Sequence, residues 1–346
     1  MKNNDKRISW KRVALIATCV VLALILVLLL SAAVFMDRIL GQINRVPSGQ
    51  ETLSSSELQE LLKPDVTIGD DHTGPVFGIE EITMPTETVE IIETDNVVNI
   101  LLLGQDRRGG TKNSLTDVMM LCTINKEAKT LTMTSFLRDM YLDIPGHRGD
   151  KLNVAYALGG FEMIDKTLEK NFGVKVDGNV EVDFAQFTKI IDSLGGVDIY
   201  LTGAEAGHLN EGYGFGVSSG MNHLDGEKAL AYSRIRYIDS DFGRTNRQRT
   251  VVTAILNQFK NASIGQLTNT LTSVLGMITT DMTDAEIMKY ALEFAPMLKE
   301  LQIVSQHIPA EGTYYYGSVK EYNIVDCIFI KDFETNLKLI ADVLDG

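Results

Sequence analysis

The chain has 346 residues, 45% of them hydrophobic and 23% charged, with a formal net charge of −14 at pH 7. That is an ordinary globular composition, long enough to bury one large core or two. Its three cysteines include no C-x-x-C pair and its five histidines are scattered, so a zinc site has no ligand set to stand on.

Val13 to Phe35 reads VALIATCVVLALILVLLLSAAVF and holds no charged side chain. As a helix it would be about 35 Å long at ~1.5 Å per residue, enough to cross a hydrocarbon core of about 30 Å. A signal peptide cut near Ser31–Ala33 is the alternative, but the run is longer than the usual apolar core of one. Lys2, Lys6, Arg7, Lys11 and Arg12 precede it against Asp5 alone, which places the N-terminus in the cytoplasm and everything after Phe35 outside. The expected organisation is a basic cytoplasmic tail over 1–12, a transmembrane helix over 13–35, an extracellular stalk over 36–95 and an extracytoplasmic domain over 96–346. The expected localisation is the cell membrane, as a single-pass protein. The stalk is polar, with Pro47, Pro64, Pro75 and Pro85 spaced along it and one short amphipathic helix at SSSELQELL.

The domain opens on VVNILLLG (97–104), a continuous apolar run that predicts a strand covered on both faces. VMMLCTI (118–124) and LTMTSF (131–136) predict two more, joined by the turn NKEAK. Phe161, Ile164 and Leu168 share one helical face, as do Phe184, Phe187, Ile191 and Leu194. GGVDIYL turns into a further strand, and Thr202 to Gly220 reads as a Gly-rich loop. TDAE (283–286) is a capping box opening a helix to about Lys299; LQIVSQHI predicts a late strand and DFETNLKLIADVL a closing helix. Strands and helices intermix, so the fold class is α/β: a mixed central sheet covered by helices, preceded by one transmembrane helix. Cys122 and Cys327 sit among apolar neighbours and are expected as buried thiols.

YSRIRYIDSDFGRTNRQR (232–249) gathers five arginines and no lysine in an acidic chain. Val251, Ile255 and Phe259 set a helical period, and counting back by three and four gives Gln248, Arg247 and Arg244. These lie in the first turns after DFG, where a helix already presents positive partial charge and free N–H groups. Arginines add nothing to stability there, but they suit a multiply charged anion. Arginine rather than lysine suits phosphate, because the planar guanidinium pairs bidentately and keeps its charge. The alternative is a solvated basic face, or pairing with Asp239 and Asp241. Asp106, in GQDRR, follows the first strand, and Asp117 begins the next. Two carboxylates at adjacent strand ends could hold one hard cation, Mg²⁺ being preferred beside phosphate. Arg138 and Asp139 end the third strand; Lys151 and Asn153 precede a helix.

The ordered series NILLLGQDRR, TDVMML, SFLRDMYLDIPG, KLNVAYALGG and SRIRYIDSDFGRTNRQR resembles the LytR–CpsA–Psr family of cell-wall assembly proteins, from about Val97 to Asn261. The resemblance implies transfer of a glycopolymer, teichoic-acid-like or capsule-like, from a polyprenyl-pyrophosphate carrier onto peptidoglycan at the outer face of the cytoplasmic membrane. It implies Mg²⁺ (or Mn²⁺) on Asp106 and Asp117. It also implies pyrophosphate contacts from Arg138, Arg234, Arg236, Arg244, Arg247 and Gln248. A second Gln usual after RQ in the family is Arg249 here.

The expected function is therefore a phosphotransferase in which a sugar hydroxyl displaces polyprenyl phosphate, with Asp139 or a metal-bound Asp orienting or deprotonating the acceptor. Arg108 and Lys151 are expected at the substrate. Met119, Phe161 and Phe187 are expected to line a tunnel for the polyprenyl tail; a close-packed core is the alternative for these residues. A pyrophosphate hydrolase and a non-catalytic binding or regulatory protein are the rivals. Nucleic acid is not an expected partner, since the arginines would face away from the cytoplasm.

Overall fold

A computed structural model of the chain describes residues 37–46, 74–85, 89–105, 115–236, 238–261 and 273–344. The chain divides into two compact units. The first, Met1–Ile43, is described only over 37–43, with a helical stretch at 37–40. The second, Asn44–Gly346, holds everything that follows.

Its strands are β1 (Asn44–Arg45), β2 (Val76–Phe77), β3 (Val97–Gln105), β4 (Thr116–Asn125), β5 (Thr130–Phe136), β6 (Tyr141–Leu142), β7 (Asp150–Lys151), β8 (Gly178–Asp183), β9 (Val197–Leu201), β10 (Gly220–Leu224), β11 (Thr279–Thr280), β12 (Gln302–Ile308), β13 (Tyr314–Val319) and β14 (Ile324–Ile330). Its helices are α1 (Leu152–Phe172), α2 (Phe184–Ser193), α3 (Gly203–Tyr213), α4 (Gly226–Ser233), α5 (Asp241–Asn261), α6 (Asp284–Phe294) and α7 (Phe333–Leu344).

Seven strands make the central sheet, in the order β1-β11-β8-β3-β4-β5-β12. β8 and β12 run parallel to β3 and β5, while β4 is antiparallel to both of its neighbours. The three apolar runs are the middle of this sheet because both of its faces are covered. Strand alternation sends Leu101, Leu103, Met119 and Leu121 to one face, against Phe161, Ile164 and Leu168 of α1. Met120, Cys122, Leu131 and Met133 go to the other, against Val252 and Leu256 of α5. A separate core joins β9, β10, α3, α4 and α5 around Ile199, Leu209, Leu224 and Tyr232. Cys122 and Cys327 are both buried and free, and burial pushes each thiol up to about 12.

α1 is broken at Gly159–Gly160, where Gly160 takes φ +61° and ψ −148°, a conformation that suits only glycine. β4 carries a bulge: Gly104 faces Val118 but Gln105 faces Thr116, so Asp117 is the extra residue. Bulges re-aim side chains, and this one sits at the end of the sheet where β3 and β8 also finish.

Several expectations are corrected. The apolar run over 13–35 lies outside the described residues, and among the described residues no helix is long and apolar enough to cross a membrane. The two 21-residue helices, α1 and α5, have the length but carry charges along them, such as Glu162, Asp165 and Lys166 in one and Arg244, Arg247 and Arg249 in the other. The fold class of the described residues is thus an α/β domain with a mixed central sheet flanked by helices, and no transmembrane helix is found among them. The expected single-pass membrane localisation is likewise not supported by any helix among the described residues. SSSELQELL is also outside the described residues. Part of the expected stalk belongs to the folded unit: β1 pairs with β11 and β2 with β13, both parallel. The helix after TDAE stops at Phe294 rather than Lys299.

The Gly-rich loop is in fact mostly α3. Thr202 Oγ1 accepts the Glu205 N–H (3.2 Å) while the Glu205 carboxylate accepts the Thr202 N–H (2.9 Å). Such a capping box stabilises a helix start by about 1 kcal/mol. Ala206 and Leu209 bury one side, and Gly214 at φ +69° closes the helix in the left-handed conformation.

One buried polar cluster ties α1 to the sheet. The Asn179 amide on β8 donates to Asp165 Oδ2 (2.9 Å) and to Asp281 Oδ2 (2.8 Å), while Asp165 Oδ1 makes no hydrogen bond. Burial, opposed by the Asn179 amide and reinforced by Asp281, pushes the Asp165 carboxyl up to about 7. Folding therefore favours the protonated acid. Its contribution is whole below the ordinary value of 3.8 and is lost as pH rises through about 7. Asp165→Asn keeps an acceptor for Asn179 and removes the charge. Its Tm should fall less than the wild-type Tm between about pH 5 and pH 8, and should be the higher of the two at pH 8. Parallel Tm curves over that window would show that this acid does not titrate with folding.

Candidate functional site

The first turn of α5 is fixed by Phe242, whose ring packs 4.7 Å from His307 of β12 and 5.0 Å from Tyr314 of β13. That anchor sets the rotation of the helix and puts Arg244 and Gln248 on the wall of a cavity of about 580 Å³. Arg138, Arg234, Arg236 and Asp117 line the same cavity. Six of the expected site residues are thus brought together, from β4, the loop after β5, the end of α4 and the start of α5.

Arg244 is the unusual member. Its side chain is 3% exposed, and its one ion pair is Asp241, at 3.3 Å from Nη2. Its Nε and Nη1 make no hydrogen bond although both are buried. Burial first, then the nearby Arg138 and Arg236, pull its guanidinium down to about 10. A buried cation with two unmatched donors is costly, and it faces a cavity that already contains three other arginines.

Asp117, turned by the bulge, accepts Arg138 Nη1 at 2.6 Å and Arg236 Nη2 at 3.4 Å on the same oxygen. Arg138 Nε donates to Asp139 Oδ2 (3.1 Å), and the Lys151 ammonium lies 3.1 Å from the other Asp139 oxygen. Burial works against charge on both partners. Even so, Asp139 and Asp117 hold Arg138 above its ordinary value, and Arg138 with Lys151 holds Asp139 below the usual carboxylate range. Asp139 and Lys151 therefore brace Arg138 from behind rather than lining the cavity.

Arg247 sits one turn on and does something else. It pairs bidentately with Asp239 (2.7 and 2.8 Å), donates to the Ile235 carbonyl (2.8 Å) and reaches Glu205 at 3.5 Å. Burial lowers it, but these carboxylates raise it above its ordinary value. It holds Ile235, Asp239 and α3 against α5. Arg249 is buried too, with Nε and Nη1 unmatched, and burial alone takes it down to about 10; it does not line the cavity.

Asp106 and Arg108 lie outside the described residues. Met119 and Phe161 are packed in the core on the α1 face of the sheet, and Phe187 lies against the β9–β10 core. Met119 and Phe161 thus share one core, and Phe187 packs against another. Phe184, read from the sequence as part of an apolar helical face rather than as a partner of the arginines, is an aromatic at the site: the Arg234 guanidinium stacks 4.7 Å over its ring. Its signal was topological. β8 runs parallel to β3, so the junction of β8 and α2 emerges beside the end of β3, where α/β sheets place ligands. His208 and Tyr213 of α3 were missed with the helix that carries them.

Among the described residues no group of three His, Cys, Asp or Glu side chains is placed to hold a metal ion. Among the described residues Asp117 is the one carboxylate lining the cavity. Mg²⁺ beside a phosphate commonly takes one or two carboxylates and completes its shell from phosphate oxygens and water. The donor set fits that mode of binding, with Asp117 the described ligand.

Residues 78–336 match the LytR_cpsA_psr family. The chain is 34% identical over 241 residues to the polyisoprenyl-teichoic acid–peptidoglycan teichoic acid transferase TagU of Bacillus cereus, covering 67% of this chain and 76% of that protein. It is 33% identical over 227 residues to the regulatory protein MsrR of Staphylococcus aureus, covering 64% and 68%. Among solved structures it is similar to B. subtilis TagT, with 26% identity and TM-score 0.59 over 77% of this chain and 99% of that one. It is equally similar to TagT bound to LI-WTA, with 26% identity and TM-score 0.60 over 77% and 100%.

The two inner arginines should separate by experiment. Arg247→Met strands Glu205 and Asp239 and should cost about 1–3 kcal/mol, less than a fully buried pair would because Asp239 is 40% exposed. At about 2–4 °C per kcal/mol the loss is visible in Tm. Arg244→Met removes a buried charge that has one 3.3 Å ion pair and two unmatched donors, and should leave Tm unchanged or higher. A drop in Tm for Arg244→Met as large as for Arg247→Met would show that both arginines are structural.

Proposed function

The chain belongs to the LytR–CpsA–Psr family, and on that premise we propose that it is a transferase carrying a lipid-linked glycopolymer to peptidoglycan, by phosphotransfer from a polyprenyl-pyrophosphate donor. The observation that supports this reading best is Arg244, a buried guanidinium with two unmatched donors facing a cavity with Arg138, Arg234 and Arg236. The anion such a site suits is compact and multiply charged, and a pyrophosphate is both. The names of TagU and of the TagT complex with LI-WTA point the same way.

The sugar hydroxyl of the acceptor attacks the polymer-side phosphorus. A new P–O bond forms as the bond to polyprenyl phosphate breaks, and the hydroxyl proton passes to water at the cavity mouth. Little covalent help is needed for this chemistry; positioning and charge neutralisation carry it. Arg244 and Arg138 receive charge on the bridging and departing oxygens, and Gln248 donates to a neutral or anionic oxygen beside them. Arg234, stacked on Phe184, is held off the flexible conformations an exposed arginine would sample. Asp139, kept ionised by Arg138 and Lys151, orients Arg138 and is a poor proton acceptor. Mg²⁺ (or Mn²⁺) held by Asp117 and Asp106 would neutralise non-bridging phosphate oxygens.

The direct test is incubation of the purified chain with a polyprenyl-pyrophosphate-linked saccharide and peptidoglycan. Linked saccharide and polyprenyl phosphate should appear together, and only with acceptor present. Release of polyprenyl phosphate without acceptor would identify a hydrolase, and no release would leave a binding protein. In the same assay Arg244→Lys keeps the charge but loses the fork. If the contact tightens in the transition state, the loss should be about 2–4 kcal/mol, or roughly 30-fold or more in rate. Wild-type turnover by the lysine variant would show that charge alone matters.

A further inference from the structure

One part of the cavity rim is unexplained by the arginines. Tyr213, the last residue of α3, lines the cavity yet is 52% exposed. Its ring is stacked on Phe215, with centroids 5.1 Å apart and planes 10° from parallel. The pair is not a loose loop tip. Asn210 donates to the Val217 carbonyl (2.8 Å) and accepts the Val217 N–H (2.9 Å), which closes the 214–217 turn. Phe215 is half-buried against the β9–β10 core, and the Lys228 ammonium lies 5.6 Å from its ring centroid. One face of Tyr213 is therefore covered by a fixed neighbour, and the exposed remainder opens at the mouth of the anion site.

The fold gains little from an aromatic ring left half in water. A rigid, half-wet aromatic face suits a ligand that is also amphipathic: a ring with one apolar C–H face and hydroxyls around its edge. A polyprenyl chain does not fit that description, because it would need enclosure rather than a wet rim. A pyranose does. Resting on the function proposed above, we propose that Tyr213, backed by Phe215, is the stacking platform for the sugar joined directly to the pyrophosphate, and so reads the glycopolymer end of the donor. Arg244 and its neighbours hold the phosphates without regard to what they carry. Tyr213 adds a term that depends on the saccharide.

Binding measured by calorimetry with two probes separates these contributions: a short-chain prenyl pyrophosphate, and the same pyrophosphate bearing a hexosamine. The wild-type chain should bind the sugar-bearing probe about fivefold more tightly than the bare one. Tyr213→Ala should erase that ratio while leaving the affinity for bare prenyl pyrophosphate unchanged, and Tyr213→Phe should keep the ratio, since the ring and not the hydroxyl does the stacking. Because Tyr213 is exposed, both variants should keep the wild-type Tm. Equal binding of the two probes by the wild type, or a Tyr213→Ala variant that retains the ratio or weakens both probes alike, overturns the platform while the pyrophosphate site stands. Failure of the wild type to bind either probe overturns the proposed function and the platform with it.

Discussion

Like charges brought together out of water are the constraint on which the rest of this architecture depends. Arg138, Arg236 and Arg244 approach one another at one end of the sheet, and at Arg244, the buried member, little solvent is left to screen them. Such a cluster does not assemble by itself. The fold holds it with carboxylates placed on separate elements: Asp117 on a strand bulge, Asp139 beyond the end of β5, and Asp241 at the start of α5. Of these anions Asp241 alone contacts Arg244, at 3.3 Å from one nitrogen, and it leaves Nε and Nη1 unmatched. What remains is a site whose electrostatic energy is lowered by an incoming anion, with the positions of the donors fixed beforehand by elements that a ligand need not move.

The scaffold divides this labour between two cores. One face of the sheet packs on α1 and α7 and carries no cavity-lining side chain, so it can be filled with leucine and phenylalanine at interior density. The second core, under β9 and β10, holds α3, α4 and part of α5 in register. Arg247 joins the two halves of that region: its bidentate bond to Asp239 and its approach to Glu205 tie the loop after α4 to the helix that α3 packs against. The same residue type thus serves opposite ends three positions apart: Arg247 is met bidentately by Asp239 and also by Glu205, whereas Arg244 has Asp241 on one nitrogen at 3.3 Å.

Strands β3, β4 and β5 were legible in the sequence because a continuous apolar run has few other homes, and α1's buried face because its spacing is helical. The arginine cluster was legible as a cluster. The sequence did not separate Arg244 from Arg247, since helical period places both near a buried face and says nothing about which meets an acid from another element. α3 was missed because glycine composition outweighed a capping box: Gly203, Gly207 and Gly212 suggest a loop, whereas Thr202, Glu205, Ala206 and Leu209 supply the cap and the buried stripe. Tyr213 was lost with it. The short edge strands β1 and β2, two residues each, carry no periodicity to detect. Met119, Phe161 and Phe187 were grouped by hydrophobicity, which cannot tell which of two cores a residue joins.

The break in α1 has a consequence for how that helix can change. A continuous helix keeps one phase from end to end, so that a residue's facing follows from its distance to any other. At Gly159–Gly160 the count is interrupted, and it begins anew at Phe161. The leading segment, which buries Leu152 and Ala155 and has Tyr156 donating to Glu181, is oriented independently of the trailing segment that carries Ile164 and Leu168 into the same core. Phe161, Ile164 and Leu168 could be assigned to one face because all three lie past the interruption. An insertion or deletion before it would re-phase only the leading segment, with Leu152 and Tyr156, and one after it only the trailing segment, although both segments pack into the same core.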